Sequence, residues 1–569
     1  MSDSPKKELP LNVVLYWHMH QPEYRDMRNG EYHLPWTYLH SIKDYVDMAA
    51  HLEDSPGARA VVNFAPILLE QIDDYARQLD GYLRHGMGLR DPLLLALADP
   101  VVSQYPERRM EITRACLRAN KHRLIDRFVE FKVLAKMAQG LLHEPEKVVY
   151  YSEQYFADLL VWYHLAWMAE TSRRKDPRIR ALMEKANNYN LHDRHLLIEI
   201  ISELIGGLIE RYKKLAQAGV IELSISPYAH PILPLLLDLT SAKQAIPDVE
   251  LPAASEYPGG LERSRWHMQK GIETFRKYFG MAPKGCWPSE GSISNESIEL
   301  IAETGIKWLA SGETVLRNSL HKSSTRVSKC LHEAYQFHDN DVACFFRDDG
   351  LSDLIGFKYS DWHADDAVAN LVHHLEEIAE ACAEKENAVV SIILDGENAW
   401  EYYPENGFHF ISALYKKLAQ HEGINLTTYS EYLEKHNARA VLQDVVAGSW
   451  VYGTLSTWIG EKDKNRAWDM LVEAKQVFDR VKGEGALTGD ELLIAEQQLA
   501  TCESSDWFWW FGEYNSAESV ATFDEQYRMH LSNLYQLLKV EAPDYLAKAF
   551  SFGAGEPVMG GAMLPGKKQ

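Results

Sequence analysis

The sequence predicts an α/β fold, a parallel barrel or open parallel sheet with helical crossovers, followed by a helical C-terminal region. Three observations carry this. Short β-rich apolar runs recur from residue 11 to residue 394, helical apolar spacing lies between several of them, and strand signals nearly vanish after about residue 435. The first run, 11–17 (LNVVLYW), has polar groups just past its end, the pattern of a strand buried on both faces. Residues 59–65 (RAVVNFA) repeat it, and Pro66 opens a helix in which Ile67, Leu68, Ile72 and Tyr75 share a face. From about 80 to 215 helix signals dominate, with dense aromatics over 150–167, which reads as an insertion packed over the barrel. Strand runs return at 219–225, 285–287, 306–310, 342–346 and 388–394, with helices expected over 294–304 and 365–385. Helical spacing over 464–500 and 519–549 closes the pattern. The expected division is therefore a barrel over 1–435, a helical domain over 436–552 and a Gly- and Pro-rich flexible tail over 553–569.

Composition narrows the function. The 569 residues include 59 Lys and Arg against 82 Asp and Glu, a net charge of −23, which repels nucleic acid and anionic membrane surfaces. No apolar run approaches the roughly 20 residues of a membrane span. Aromatics make up 11% of the chain, and their flat apolar faces suit sugar rings, although most aromatics in any protein fill core. The six cysteines lack a CxxC pair or regular spacing, so reduced, mostly buried thiols are expected. The N-terminal apolar run is interrupted by Asn12 and has no small-residue cleavage site, so it reads as the first strand and the protein as cytoplasmic. No heptad or apolar stripe announces an oligomer.

Barrel active sites form where strands end. The first strand is followed by His18-Met19-His20-Gln21-Pro22; the third contains Glu222 and is followed by Ser226-Pro227-Tyr228-Ala229-His230-Pro231. The fourth run leads to Trp287-Pro288-Ser289-Glu290 and the last to Asp395-Gly396-Glu397-Asn398-Ala399-Trp400. Glu290 and Asp395 are the sharpest pair: each follows a strand beside a tryptophan, a setting that excludes water and raises a carboxyl pKa. Two carboxyls on opposite sides of a glycosidic bond can cleave it, one attacking the anomeric carbon and the other serving as acid and then base. A single such acid is more simply a helix cap or a surface ion pair.

The segments 17–24 (WHMHQPEY), 221–236 (IELSISPYAHPILPLL), 285–294 (GCWPSEGSIS), 394–401 (LDGENAWE) and 504–513 (SSDWFWWFGE) occur in one order across most of the chain. Together they resemble glycoside hydrolase family 57, most closely its α-amylase and amylopullulanase-like branch. The resemblance implies an incomplete (β/α)7 barrel with helical insertions, followed by an α-helical domain, and retaining action on α-glucans. It puts Glu290 in the place of the nucleophile and Asp395 in that of the general acid/base. His20, Glu222, Glu397 and Asp506 fall on sugar-site positions, and Trp287, Trp400 and Trp509 where aromatic platforms are expected. No metal or organic cofactor is implied. The family element at 346–353 is expected to carry His where this chain has Asp349, leaving Asp348, Asp349 and Asp353 without an assigned role. Trp450 and Trp458 are candidate outer platforms, weighed equally against interdomain core.

Hydrolysis is the leading reaction, with 4-α-glucanotransferase or branching activity as the alternative on the same site. A zinc-dependent hydrolase of the mannosidase or deacetylase kind is the alternative of another class, suggested by His18-x-His20. A catalytically silent glucan-binding protein is the third reading.

Overall fold

A computed structural model describes residues 10–323 and 330–555. Ten strands form one sheet: β1 (Leu11–Met19), β2 (Ala60–Phe64), β3 (Ile221–Ile225), β4 (Gly285–Cys286), β5 (Trp308–Gly312), β6 (Tyr335–Phe337), β7 (Ala343–Arg347), β8 (Val389–Asp395), β9 (Ile424–Leu426) and β10 (Ala440–Leu442). Seven of them, β1-β2-β3-β4-β5-β7-β8, run parallel and close into a barrel as β8 pairs with β1. The ladder is thin at two seams: β7 and β8 share the single pair Arg347–Ser391, and β3 and β4 the single pair Ile225–Cys286. Short β9 extends beside β1, β6 pairs antiparallel with β7, and β10 pairs with β6. β10 carries the sheet past the expected boundary at residue 435, a three-residue strand too short to register in an apolar pattern.

Strand alternation sorts side chains into two cores. Val14, Tyr16, Val61, Trp308, Ala343, Phe345, Val389 and Ile393 fill the barrel interior. Val13, Leu15, Trp17, Met19, Val62, Leu223, Val390, Ile392 and Leu394 face outward against the helices. The same parity aims His18, Arg347 and Asp395 inward at the strands' C-terminal ends, because each lies two residues beyond an inward neighbour. The interior is layered by size: Tyr16 hydrogen-bonds Ser224 Oγ (2.9 Å), so a large residue opposes a small one.

The helical predictions fare well for reasons of capping. The helix Asn295–Glu303 sits between Ser294, which caps it reciprocally with Ser297, and Thr304. Pro66 opens Pro66–His85, with Ile67, Leu68, Ile72 and Tyr75 all buried. Between β2 and β3 the chain makes a helical layer that returns through the 27-residue helix Leu191–Gln217, which packs on Pro66–His85. The C-terminal helices Lys462–Gly483, Gly489–Cys502, Ser505–Trp510 and Ala517–Leu537 form a further layer. No helix among the described residues is long and apolar enough to cross a membrane. Of the expected tail, Ala554 donates to the Glu513 carbonyl and Gly555 bridges to Ser516, so the chain is still packed there; 556–569 lie outside the described residues.

One expectation is corrected. Cys330 and Cys382 form a disulfide, their Cα atoms brought to 5.2 Å where the chain leading to β6 meets the end of helix Ala364–Ala381. A separation of 52 residues with no motif gives no sign of that meeting in the sequence. Cys116, Cys286, Cys344 and Cys502 are free and buried, as expected.

Gly285 opens β4 directly beneath the Trp308 indole: a Cβ there would lie 1.9 Å from two ring carbons. Gly285→Ala is expected to destabilise the fold by about 1–3 kcal/mol through overpacking, read as a lowered urea midpoint with an unchanged slope.

Candidate active site

The C-terminal ends of the barrel strands open into a cavity of about 660 Å³. Glu290 and Asp395, 105 residues apart in sequence, both line it. Glu290 lies in the turn Ser289–Gly291 just past β4, in the left-handed conformation (φ 58°) that turns its side chain back over the barrel. Trp450 Nε1 donates to Glu290 Oε2 (3.0 Å), and the Trp450 amide donates to the Glu290 carbonyl (3.1 Å). Asp395 ends β8 opposite His18 of β1 and accepts from Asn398 Nδ2 (2.8 Å).

Burial shapes both acids, and the Asp395 charge adds to its effect on Glu290. Burial, then the Asp395 charge, pushes Glu290 up to about 8, with Asp506 adding to the rise and the Trp450 N–H opposing it. Burial pushes Asp395 up to about 6, restrained by the Asn398 hydrogen bond and by His20 and Arg347. Glu397, buried and facing Asp395 and Asp44, is held well above the usual carboxyl range. Glu397 Oε1 accepts from the His20 amide (3.3 Å), Gln21 Nε2 (3.2 Å) and Tyr45 Oη (3.4 Å), which ties the β1 exit to the β8 exit.

His18 and His20 floor the cavity, and His230 lies buried against both. His20 and His230 stack at 3.9 Å between ring centroids, and His18 lies 5.2 Å from His230. His18 Nδ1 bonds Asn63 Oδ1 (2.6 Å), so His18 braces the floor from behind. Burial and the neighbouring rings push His18 down to about 3 and His230 well below its usual value, so both are neutral. His20 Nε2 donates to Asp506 Oδ1 (2.8 Å), which brings the C-terminal layer back to the barrel. Ser504 Oγ donates to Asp506 Oδ2 (2.6 Å), and the Ser505 amide donates to the His230 carbonyl (3.0 Å).

His20, His230 and Asp506 offer ligand-type atoms within 4.8 Å of one another, and among the described residues no other such group occurs. Stacking is a poor arrangement for a shared ion, since the in-plane lone pairs of stacked imidazoles run side by side instead of converging. The hydrogen bond to Asp506 further commits one His20 nitrogen. The arrangement suits hydroxyl recognition better than zinc.

The other predicted residues separate clearly. Trp509 lines the cavity together with Trp510 and Trp450. Trp458 packs against Trp509 and is fully buried, so it is core. Trp287 lies beneath the cavity, between Tyr16 and Trp450, and does not line it. Trp400 points away from the barrel axis into the outer core against Trp17 and Phe410. Glu222 is not at the mouth. Its parity is inward but its level is wrong: it is the second residue of β3, near the strand's N-terminal end, where it accepts from Trp308 Nε1 (2.7 Å) and the Ser430 amide (2.9 Å). His230 and Arg347 reach the site and were not among the predicted site residues; their only sequence signal is placement at or just past a strand end.

Behind Glu397, Glu401 is buried with neither oxygen bonded within the described residues, facing Lys43 and Asp44 of the π-helical turn Ser41–Tyr45. Burial pushes it up to about 8, opposed by Lys43 and reinforced by Asp44. An acid whose folded pKa is raised keeps its proton while the unfolded chain loses it, so stability falls as pH rises from about 4.5 to about 8. Glu401→Gln removes that linkage. Its melting temperature relative to wild type is expected to rise between pH 5 and pH 8, measured by calorimetry across that window.

The sequence profile of glycosyl hydrolase family 57 matches residues 14–446. An α-amylase of Pyrococcus abyssi is 23% identical over 307 residues, 52% of this chain and 40% of its own. A 1,4-alpha-glucan branching enzyme of Thermococcus kodakarensis is 20% identical over 399 residues, 57% of this chain and 55% of its own, so the matches span about half the length of these relatives. Among solved structures, a GH57-type branching enzyme from Pyrococcus horikoshii aligns over 96% of this chain and 99% of its own with a TM-score of 0.57 at 15% identity. An α-amylase from Thermotoga maritima aligns over 93% of both chains with a TM-score of 0.56 at 12% identity. At such identities the structural likeness speaks for the fold alone.

Proposed function

Because the chain belongs to glycosyl hydrolase family 57, we propose that it acts on α-glucans by double displacement, with Glu290 as nucleophile and Asp395 as general acid/base. One observation supports the reading: two buried carboxyls from separate strand ends face one cavity, and the Asp395 charge raises the cost of ionising Glu290. Such a pair holds a single proton over a range of pH, which is what a nucleophile and an acid require together.

In the first half of the reaction Glu290 attacks the anomeric carbon while Asp395 gives its proton to the departing glycosidic oxygen. In the second half Asp395 takes a proton from the incoming hydroxyl, and the bond from sugar to Glu290 breaks. A group that loses and regains a proton in each cycle works best with a pKa near the ambient pH, and Asp395 at about 6 suits that role. In the empty cavity burial favours the proton on Glu290. Hydrogen-bond donors oppose this preference: Trp450 already supplies one, and a sugar hydroxyl donating to Glu290 would supply another, drawing the proton toward Asp395. Trp450, Trp509 and Trp510 offer apolar faces to neighbouring glucose units.

The incoming hydroxyl decides between hydrolysis and transfer. Water gives an amylase; a glucan hydroxyl gives a glucanotransferase or branching enzyme. Chromatography of products from maltoheptaose, amylose and pullulan distinguishes these outcomes and the preferred linkage. Glu290→Gln is expected to lose at least about 10³-fold of activity on the consumed glucan, and wild-type turnover by that variant would remove the mechanism.

The pH dependence follows from the same pair. Below about 6 both acids are protonated and the nucleophile is lost; above about 8 both are ionised and the acid is lost. A bell-shaped kcat/KM profile with limbs near those values is expected. A profile flat across both limbs contradicts the one-proton pair.

A further inference from the structure

The segment 346–353 acquires a role through Arg347. This residue ends β7, faces inward in step with Ala343 and Phe345, and is 7% exposed. It stands at one of the barrel's two thin seams, where the β7–β8 ladder consists of the pair Arg347–Ser391. Beyond that pair the guanidinium takes the place of the ladder: Arg347 Nε donates to the Ile393 carbonyl (2.9 Å), two residues before Asp395. Nη1 donates to Asp349 Oδ1 (2.9 Å) and Nη2 to Asp353 Oδ1 (2.7 Å), which fixes the plane of the fork. The guanidinium carbon lies 5.5 Å from the centroid of the Trp450 ring, the indole whose N–H donates to Glu290.

We propose that Arg347 is a positioning residue that holds both carboxyls in register, Asp395 through the β8 backbone and Glu290 through the Trp450 indole. The inference rests on the reading of Glu290 and Asp395 as the reacting pair. Lysine cannot substitute, because three directed contacts from one plane need a guanidinium and an ammonium has no planar face to lay on an indole. Asp349 and Asp353 thereby serve as the anchors of Arg347. Asp349 also accepts from Thr314 Oγ1 (3.1 Å), so its carboxylate is committed on both oxygens.

Charge adds a second readout. Asp395 is faced by Glu290, Glu397, His20 and Arg347, and Glu290 by Asp395, Asp506 and His230. Among the described residues lining the cavity, Arg347 is the one permanent cation. It favours ionised Asp395, so its loss raises the acidic limb of the pH profile, and a lysine restores that limb.

The test compares Arg347→Met, Arg347→Lys, Trp450→Phe and the double variant Arg347→Met/Trp450→Phe on the glucan that wild type consumes, alongside Glu290→Gln. Arg347→Met is expected to lower kcat about 10- to 100-fold with KM within about threefold, and to move the acidic limb upward. Arg347→Lys should recover the limb but not kcat. The double variant should lose little more than the worse single variant, since both act through one indole. A crystal structure of Arg347→Met should show the indole withdrawn from Glu290, and that of Arg347→Lys the same if the methionine variant does not fold. Wild-type kcat and acidic limb in Arg347→Met, fully additive losses, or an indole unmoved in the variant structure overturn the proposal. An inert wild type, or an active Glu290→Gln, overturns the reading of the pair instead; the position of the indole then still decides the role of Arg347.

Discussion

Five carboxyl groups (Glu290, Asp349, Asp353, Asp395 and Glu397) and one guanidinium line the same cavity, and the arrangement around the barrel mouth follows from holding three of those acids, Glu290, Asp395 and Glu397, where water is scarce. Burial pushes three of them, Glu290, Asp395 and Glu397, upward. Each carboxyl is met by a specific donor: Trp450 for Glu290, Asn398 for Asp395, the Arg347 fork for Asp349 and Asp353, and the β1 exit for Glu397. Of the three buried acids, Glu290 is pushed up to about 8, Asp395 to about 6, and Glu397 well above the usual carboxyl range. A cavity of this sign repels phosphates and welcomes neutral polyols, whose hydroxyls can donate to every acid present.

That constraint explains why the helical C-terminal layer cannot be a separate body appended to a finished barrel. Asp506 bonds His20, the Ser505 amide reaches the loop after β3, and Ile293 bridges to Gly448 beside the turn that carries Glu290. Glu503, held down to about 2 by Arg263 and His267 against its own burial, clamps the same layer to helix Gly260–Phe279. The barrel supplies Glu290 and Asp395; the chain after it supplies the Trp450 donor and the Trp509 and Trp510 rings at the same cavity.

Strand ends were legible because alternation and apolar runs are properties of consecutive residues. Glu290, Asp395, His20, Glu397, Asp506 and Trp509 were placed at the mouth on that signal and on the family resemblance, and they meet there. The failures share a cause. Glu222 has the right parity, but its height in the barrel depends on where the strand begins, which an apolar run leaves uncertain by several residues. Trp287 and Trp400 are close in sequence to the acids yet turn below or outside the cavity, because the turns that follow β4 and β8 reverse the chain. Arg347 depends on a thin seam between β7 and β8, and Cys330 with Cys382 on a meeting of distant segments. Neither has a periodic trace in the sequence.

The contrast between Glu222 and the upper acids shows how structure and function divide the same chemistry. Glu222 at the lower end has its donors from Trp308 and Ser430 and is complete without any ligand. At the mouth, Glu397 Oε2, His20 Nδ1 and His230 Nε2 are buried with no partner within the described residues. Leaving such groups unpaired costs about 1–3 kcal/mol each, a loss that a fold tolerates where something else completes the bonds. Sugar hydroxyls, each both donor and acceptor, match an acid oxygen and two imidazole nitrogens regardless of which atoms carry protons. At the mouth, the unpaired Glu397 Oε2 and His20 Nδ1 thus belong to residues that line the same cavity as Glu290 and Asp395.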